Sequence, residues 1–156
     1  MNTFSMNIFV VEDDPFYQEM VSSYLQGLGH TTRAFSTGEE FLKHLNSKPD
    51  LVILDHNLES ELKGDDVLRI IKSEQSQIPV IYFSGEERVS LVSDAYKFGS
   101  MDFINKDCAS LLRLKLALEK IEQKKVLEMK KTKTNTRLAL LIAAAVISSF
   151  ALFFLF

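Results

Sequence analysis

The sequence contains one cysteine, Cys108, in 156 residues. An internal disulfide is therefore excluded, and the chain suits a reducing compartment or is indifferent to redox state. A lone cysteine of this kind reads as a small buried or helix-start residue. The three histidines, His30, His44 and His56, stand far apart, so no His/Cys set with zinc spacing exists. Glycine and proline are scarce, at 6 and 3, and 25% of residues are charged, which is the composition of a folded chain and not of a disordered one. The first six residues lack a basic region, and the apolar run after them covers only 8–11, so a secretory signal is not expected.

Charge is unevenly spread. Residues 1–118 carry 11 Lys and Arg against 18 Asp and Glu, residues 119–137 carry 7 against 3, and residues 138–156 carry none. An acidic globular part, a basic connector and an apolar end are three different physical objects. The length suffices for one domain with a substantial core and is short for two.

Residues 51–55, Leu-Val-Ile-Leu-Asp, are four apolar residues closed by a carboxylate, the pattern of a short strand buried on both faces. Similar strands are expected at 7–11, 79–83 and 101–104, with a more polar one at 31–35. Between them, apolar spacing predicts helices. The first starts at Pro15, where the missing N–H costs nothing, and ends at Gly29. Others cover 41–46, the stretch around Val67, Leu68, Ile70 and Ile71, and 87–98. Five alternations imply an α/β fold with a parallel sheet covered on both faces. Right-handed crossovers point every strand the same way. Asp13, Asp14, Asp55, Ser84 and Lys106 then fall on the carboxyl edge of the sheet, where open α/β folds place their chemistry.

Taken singly, an acidic pair after a strand is more often a favourable charge at a helix N-terminus, Ser84 a turn residue and Lys106 a solvated charge. Together they suggest more. Three carboxylates on one edge repel one another, and a hard divalent cation such as Mg2+ relieves that repulsion. With a hydroxyl and an ammonium beside it, such a site suits a transferring phosphoryl group. Asp55 could act as the nucleophile, because carboxylates form acyl phosphates.

The stretches Val10-Val11-Glu12-Asp13-Asp14-Pro15, Gly29-His30, Gly38-Glu39-Glu40, Pro49-Asp50 through Asp55, Ile78-Pro79-Val80-Ile81, Ser84-Gly85 and Gly99-Ser100 through Lys106 resemble the receiver domain of two-component response regulators, over residues 7–123. The resemblance implies a flavodoxin-like (βα)5 fold, a doubly wound parallel sheet of order 2-1-3-4-5. It implies Mg2+-dependent transfer of a phosphoryl group to Asp55 from a histidine kinase or phosphotransfer protein. Asp13, Asp14 and Asp55, with the backbone carbonyl of Asn57, look like the metal ligands. Ser84 looks like the switch hydroxyl and Lys106 like the phosphate-pairing lysine, while Phe103 falls at the aromatic switch position. Asn57 and Glu86 occupy positions that tune dephosphorylation in receivers. Such a protein is a phosphoacceptor and not an enzyme, beyond self-catalysed phosphotransfer and dephosphorylation. Two departures stand beside the site. Asp107 replaces the usual proline and its cis peptide, so a trans peptide and a helix cap are expected there. The loop 56–64 lacks the usual proline and reaches Gly64 one residue late.

Leu111, Leu114, Leu118 and Ile121 form a helical stripe for the receiver's last helix. The lysines of 124–137 then read as a basic juxtamembrane connector, with a break expected at 132–136. Residues 138–156, apolar all round except Ser148 and Ser149, read as a transmembrane helix. The basic flank predicts a single pass with the N-terminus inside, at the cytoplasmic face of the cell membrane. The basic run lacks interleaved aromatics, so contact with membrane lipid is expected and nucleic acid is not. An output domain is not expected within these 156 residues. The expectation is a membrane-tethered response regulator signalling to an unknown downstream protein, or passing on or storing phosphate. The alternative is an unphosphorylated membrane-anchored adaptor that uses the receiver fold as a binding surface.

Overall fold

The computed structural model describes residues 5–85 and 89–155, the side chains of 89–91, 138, 141 and 144–155 excepted. Five strands, β1 (Asn7–Val11), β2 (Thr31–Phe35), β3 (Leu51–Asp55), β4 (Val80–Ser84) and β5 (Asp102–Asn105), alternate with helices. These are α1 (Pro15–Gly27), α2 (Gly38–Leu42), α3 (Gly64–Glu74), α4 (Val89–Lys97) and α5 (Ser110–Leu155), with a 3-10 turn at Leu45–Ser47. All strand pairs are parallel and the order is β2-β1-β3-β4-β5, as expected. The chain divides into two compact units, Met1–Lys115 and Leu116–Phe156.

In the first unit the register sets the layers. Phe35 lies opposite Val11, Val11 opposite Leu54, Leu54 opposite Tyr82 and Tyr82 opposite Phe103, so one row of side chains crosses the whole sheet on one face. Most of that row joins Phe41, Val67, Leu68, Ile71 and Ala95 in a single buried cluster. Val10, Ile53 and Ile81 face the other way and are equally buried, which is why the central strands read as unbroken apolar runs.

The helix expected over 41–46 starts earlier. Thr37 caps it, its hydroxyl accepting from the Glu40 N–H at 3.2 Å, and the chain tightens into the 3-10 turn by Leu45. Strands β4 and β5 each end one residue later than read, at Ser84 and Asn105.

In the second unit the break expected at 132–136 does not occur; α5 runs on to Leu155. Thr132, Thr134 and Thr136 each donate a hydroxyl hydrogen bond to the carbonyl four residues back, at 3.0 Å, and so are satisfied inside the helix. Among the described residues no helix is long and apolar enough to cross a membrane, and the span expected over 138–156 is not borne out. Most side chains of that run lie outside the described residues.

Candidate functional site

Parity along the strands decides which carboxylates meet. Val10 lies opposite Ile53 and Val11 opposite Leu54. Glu12 prolongs β1, its N–H donating to the Phe35 carbonyl at 3.0 Å. Alternation then puts Glu12 on the face of Val10 and Ile53, which is the face of Asp55. Both carboxylates are buried, at 4% and 2% exposure. Lys106 follows β5, anchored by its N–H to the Ser84 carbonyl at 2.8 Å. Its ammonium bridges the pair, with Nζ 2.7 Å from Glu12 Oε2 and 2.9 Å from Asp55 Oδ1. The Tyr17 ring lies 5.0 Å from that nitrogen and covers the ammonium from the α1 side.

Asp13 is half-buried and turns toward the β3–α3 loop, its Oδ2 accepting from the Glu59 N–H at 2.9 Å. Glu12, Asp13 and Asp55 each offer an oxygen within 4.8 Å of the others. Three carboxylates against one ammonium leave an excess of negative charge among hard oxygen donors, which fits a divalent cation of the Mg2+ type. The electrostatics agree. Burial, reinforced by the charge of Asp55, outweighs the pull of Lys106 and pushes the Glu12 carboxyl up to about 7. Burial alone would lower the Lys106 ammonium, but Glu12 and Asp55 outweigh it and hold that group above its ordinary value.

Asp14 does not join this cluster. Its Oδ1 accepts from the N–H groups of Phe16 (2.8 Å) and Tyr17 (3.3 Å), so it is the N-cap of α1. The third carboxylate of the cluster is that of Glu12, the first residue after β1. Asn57 is exposed, two residues past Asp55. Ser84 is fully buried at the end of β4, and Phe103 is half-buried in β5 beside Tyr82, with ring centroids 6.3 Å apart. Glu86 lies outside the described residues. Asp107 stands in the turn that leads into α5, Oδ1 accepting from the Ala109 N–H at 2.8 Å and Oδ2 pairing with Arg113. Those two bonds, the arginine first, hold its carboxyl below the usual range. Cys108 is exposed at that helix start.

The loop after β3 is tied at several points. Glu39 Oε1 accepts from the Leu62 N–H at 2.7 Å, Lys63 Nζ donates to the Leu58 carbonyl at 3.0 Å, and the Gly64 N–H reaches the His56 carbonyl at 3.3 Å. Leu58 is fully buried beneath it. The longer spacing to Gly64 is thus absorbed by a loop with defined anchors.

Residues 8–119 match the family model described as the response regulator receiver domain. The chain is 32% identical over 100 residues to the luminescence regulatory protein LuxO of Vibrio campbellii, covering 64% of this chain and 22% of that protein. It is 34% identical over 100 residues to the response regulator protein TodT of Pseudomonas putida, covering 64% and 44%. The chain therefore spans less than half the length of these curated relatives. The crystal structure of the signal receiver domain of a LuxO repressor protein from Vibrio parahaemolyticus superposes with a TM-score of 0.70 at 25% identity, covering 80% of this chain and 98% of that one. On the strength of the family match across most of its length, the chain belongs to the response regulator receiver domain family.

Proposed function

We propose that the protein accepts a phosphoryl group on Asp55 from a histidine kinase or phosphotransfer protein, with Mg2+, and signals through a protein contact or relays the phosphate. The observation that carries this is the buried Asp55 carboxylate held by Lys106 between Glu12 and the sheet edge. An Asp55 oxygen forms the new P–O bond as the P–N bond of a phosphohistidine breaks and the imidazole leaves with the electron pair. Lys106, already oriented by Glu12, turns its ammonium from the carboxylate to a phosphoryl oxygen, and Ser84 at the end of β4 offers a hydroxyl to another. Mg2+ held by Glu12, Asp13 and Asp55 would supply further positive charge to those oxygens. Incubation with a small phosphodonor and Mg2+ should yield an acid-stable, base-labile adduct that Asp55→Asn abolishes. No adduct with either small donor or kinase, together with partner binding indifferent to Asp55→Asn, would turn the reading to an adaptor.

The second part of the proposal is a membrane tether. Residues 138–156 carry no charge and follow a lysine-rich segment, and each lysine near an anionic leaflet contributes about 1 kcal/mol. The full chain should float with anionic vesicles, and a chain ending at Thr136 should remain in the soluble fraction. Flotation unchanged by the truncation overturns the tether.

A further inference from the structure

His56 stands directly after Asp55 and opens the loop that lines a cleft of about 290 Å3 with Asn57, Leu58, Glu59, Lys63 and Asp65. Its ring is mostly buried, at 15% side-chain exposure. Nδ1 lies 3.0 Å from the Tyr82 hydroxyl. That hydroxyl donates a short hydrogen bond to Asp65 Oδ1 in the first turn of α3. A phenol has one hydrogen, so with that hydrogen directed at Asp65 the Tyr82 oxygen accepts from His56, which fixes the proton on Nδ1. Tyr82 itself is fully buried in β4, opposite Leu54 on one side and Phe103 on the other. A phenylalanine would fill the same space in this apolar layer. The hydroxyl is what a phenylalanine lacks, and a buried hydroxyl is kept only where it is bonded.

We propose that Tyr82 is a positioning residue for the phosphoacceptor site: its buried hydroxyl, bonded to His56 and Asp65 together, fixes the first residue of the β3–α3 loop and ties it to the Phe103 ring in the next strand. The inference rests on Asp55 being the phosphoacceptor. Asp55 and His56 share a peptide unit, and Asn57 is one residue further on, so freedom at His56 is freedom in Asp55 and in the Asn57 backbone carbonyl, which would help to hold Mg2+. Burial, with the Asp65 bond second, pushes the Tyr82 phenol far up, so it stays a donor at any working pH. Its contact with Phe103, at 6.3 Å and 50° between rings, gives the half-buried switch-position phenyl a neighbour that reports the state of the loop.

The test uses the full chain. Tyr82→Phe should raise amide exchange across 57–63 at least tenfold. It should also raise the Mg2+ concentration for half-maximal phosphorylation by a small donor several-fold, while the exchange of β1 and β3 amides stays as in the wild type. Asp65→Ala, at a position whose side chain is 32% exposed, should reproduce both effects, and Asp65→Asn, which keeps an acceptor oxygen, should restore most of the wild-type behaviour. Should Tyr82→Phe fail to fold, Asp65→Ala decides. Wild-type exchange in 57–63 in the folded variants overturns the proposal, as does an unchanged Mg2+ dependence in an otherwise active protein. A wild type that takes up no phosphate refutes the proposed function instead, and the exchange measurement still decides the positioning.

Discussion

Replacing Lys106 with methionine should leave a protein that takes up no phosphate and that, without a divalent cation, is less stable by about 3–5 kcal/mol. The lysine side chain is 10% exposed and touches both Glu12 and Asp55. Methionine keeps the packing of the stem and removes the charge, leaving two carboxylates buried at 4% and 2% with no cation between them. Two agents should relieve this, and each gives a measurement. Mg2+ should stabilise the variant more than the wild type, because it replaces a missing charge and does not merely add to one already present. Acid should do the same. Burial pushes the Glu12 carboxyl up to about 7 in the folded protein, from an ordinary value of 4.5. The stability linked to its proton is therefore fully present below 4.5 and is lost as pH rises through about 7. Removing Lys106 takes away the group that pulls Glu12 down, so in the variant the loss extends to higher pH. Urea unfolding in chelator should show the gap between variant and wild type widening from about pH 6 to about pH 8. A gap that stays constant across that range would mean that Glu12 is not coupled to the lysine.

The sequence was informative where one local rule settled the outcome, and less so where two rules had to be combined. Four-residue apolar runs closed by a polar residue marked β1, β3 and β4 because strands buried on both faces need no alternation. The make-up of the carboxylate cluster shows the second case. Pro15 at the first helical position forces its predecessor out of the helical region, and Asp14 has φ −73° and ψ 113°. That makes Asp14 the N-cap and takes its carboxylate away from the site. Extending the register Val11–Leu54 by one residue brings Glu12 beside Asp55. Both steps could be read from the sequence, but only after α1 and the β1–β3 pairing had been placed together. The His56–Tyr82–Asp65 cluster was not legible at all. Tyr82 reads as one more aromatic in a buried strand, and its partners lie 26 and 17 residues away. Nor did the threonines around 132–136 reveal that they would stay helical; weak helix formers suggest a break, and their bonds to carbonyls one turn back offset that preference.

Gly64→Ala should destabilise the protein by about 2–4 kcal/mol, reversing the sign that the same change has in an ordinary helix. Gly64 opens α3, and alanine is the better helix former by about 1 kcal/mol. Here the added methyl would overlap the Asp55 carbonyl oxygen and stand 2.8 Å from His56 Cα and 2.9 Å from the His56 carbonyl oxygen. Every one of these is a backbone atom of the last β3 residue or of the first loop residue after it, so no rotamer change makes room. Either α3 withdraws, opening the buried layer of Val67, Leu68 and Ile71, or the 55–56 peptide moves. Gly27 in α1 is the internal control, because a methyl there meets nothing within 4 Å. Gly27→Ala should leave the urea midpoint unchanged or raise it, whereas Gly64→Ala should lower it. Equal midpoints would refute the close approach of α3 to the backbone of Asp55 and His56. The same geometry separates this variant from a merely destabilised one. Where enough folded protein remains, phosphorylation of Asp55 should fall further than the folded fraction does, since the displaced atoms are the Asp55 carbonyl oxygen and the backbone of the next residue, His56.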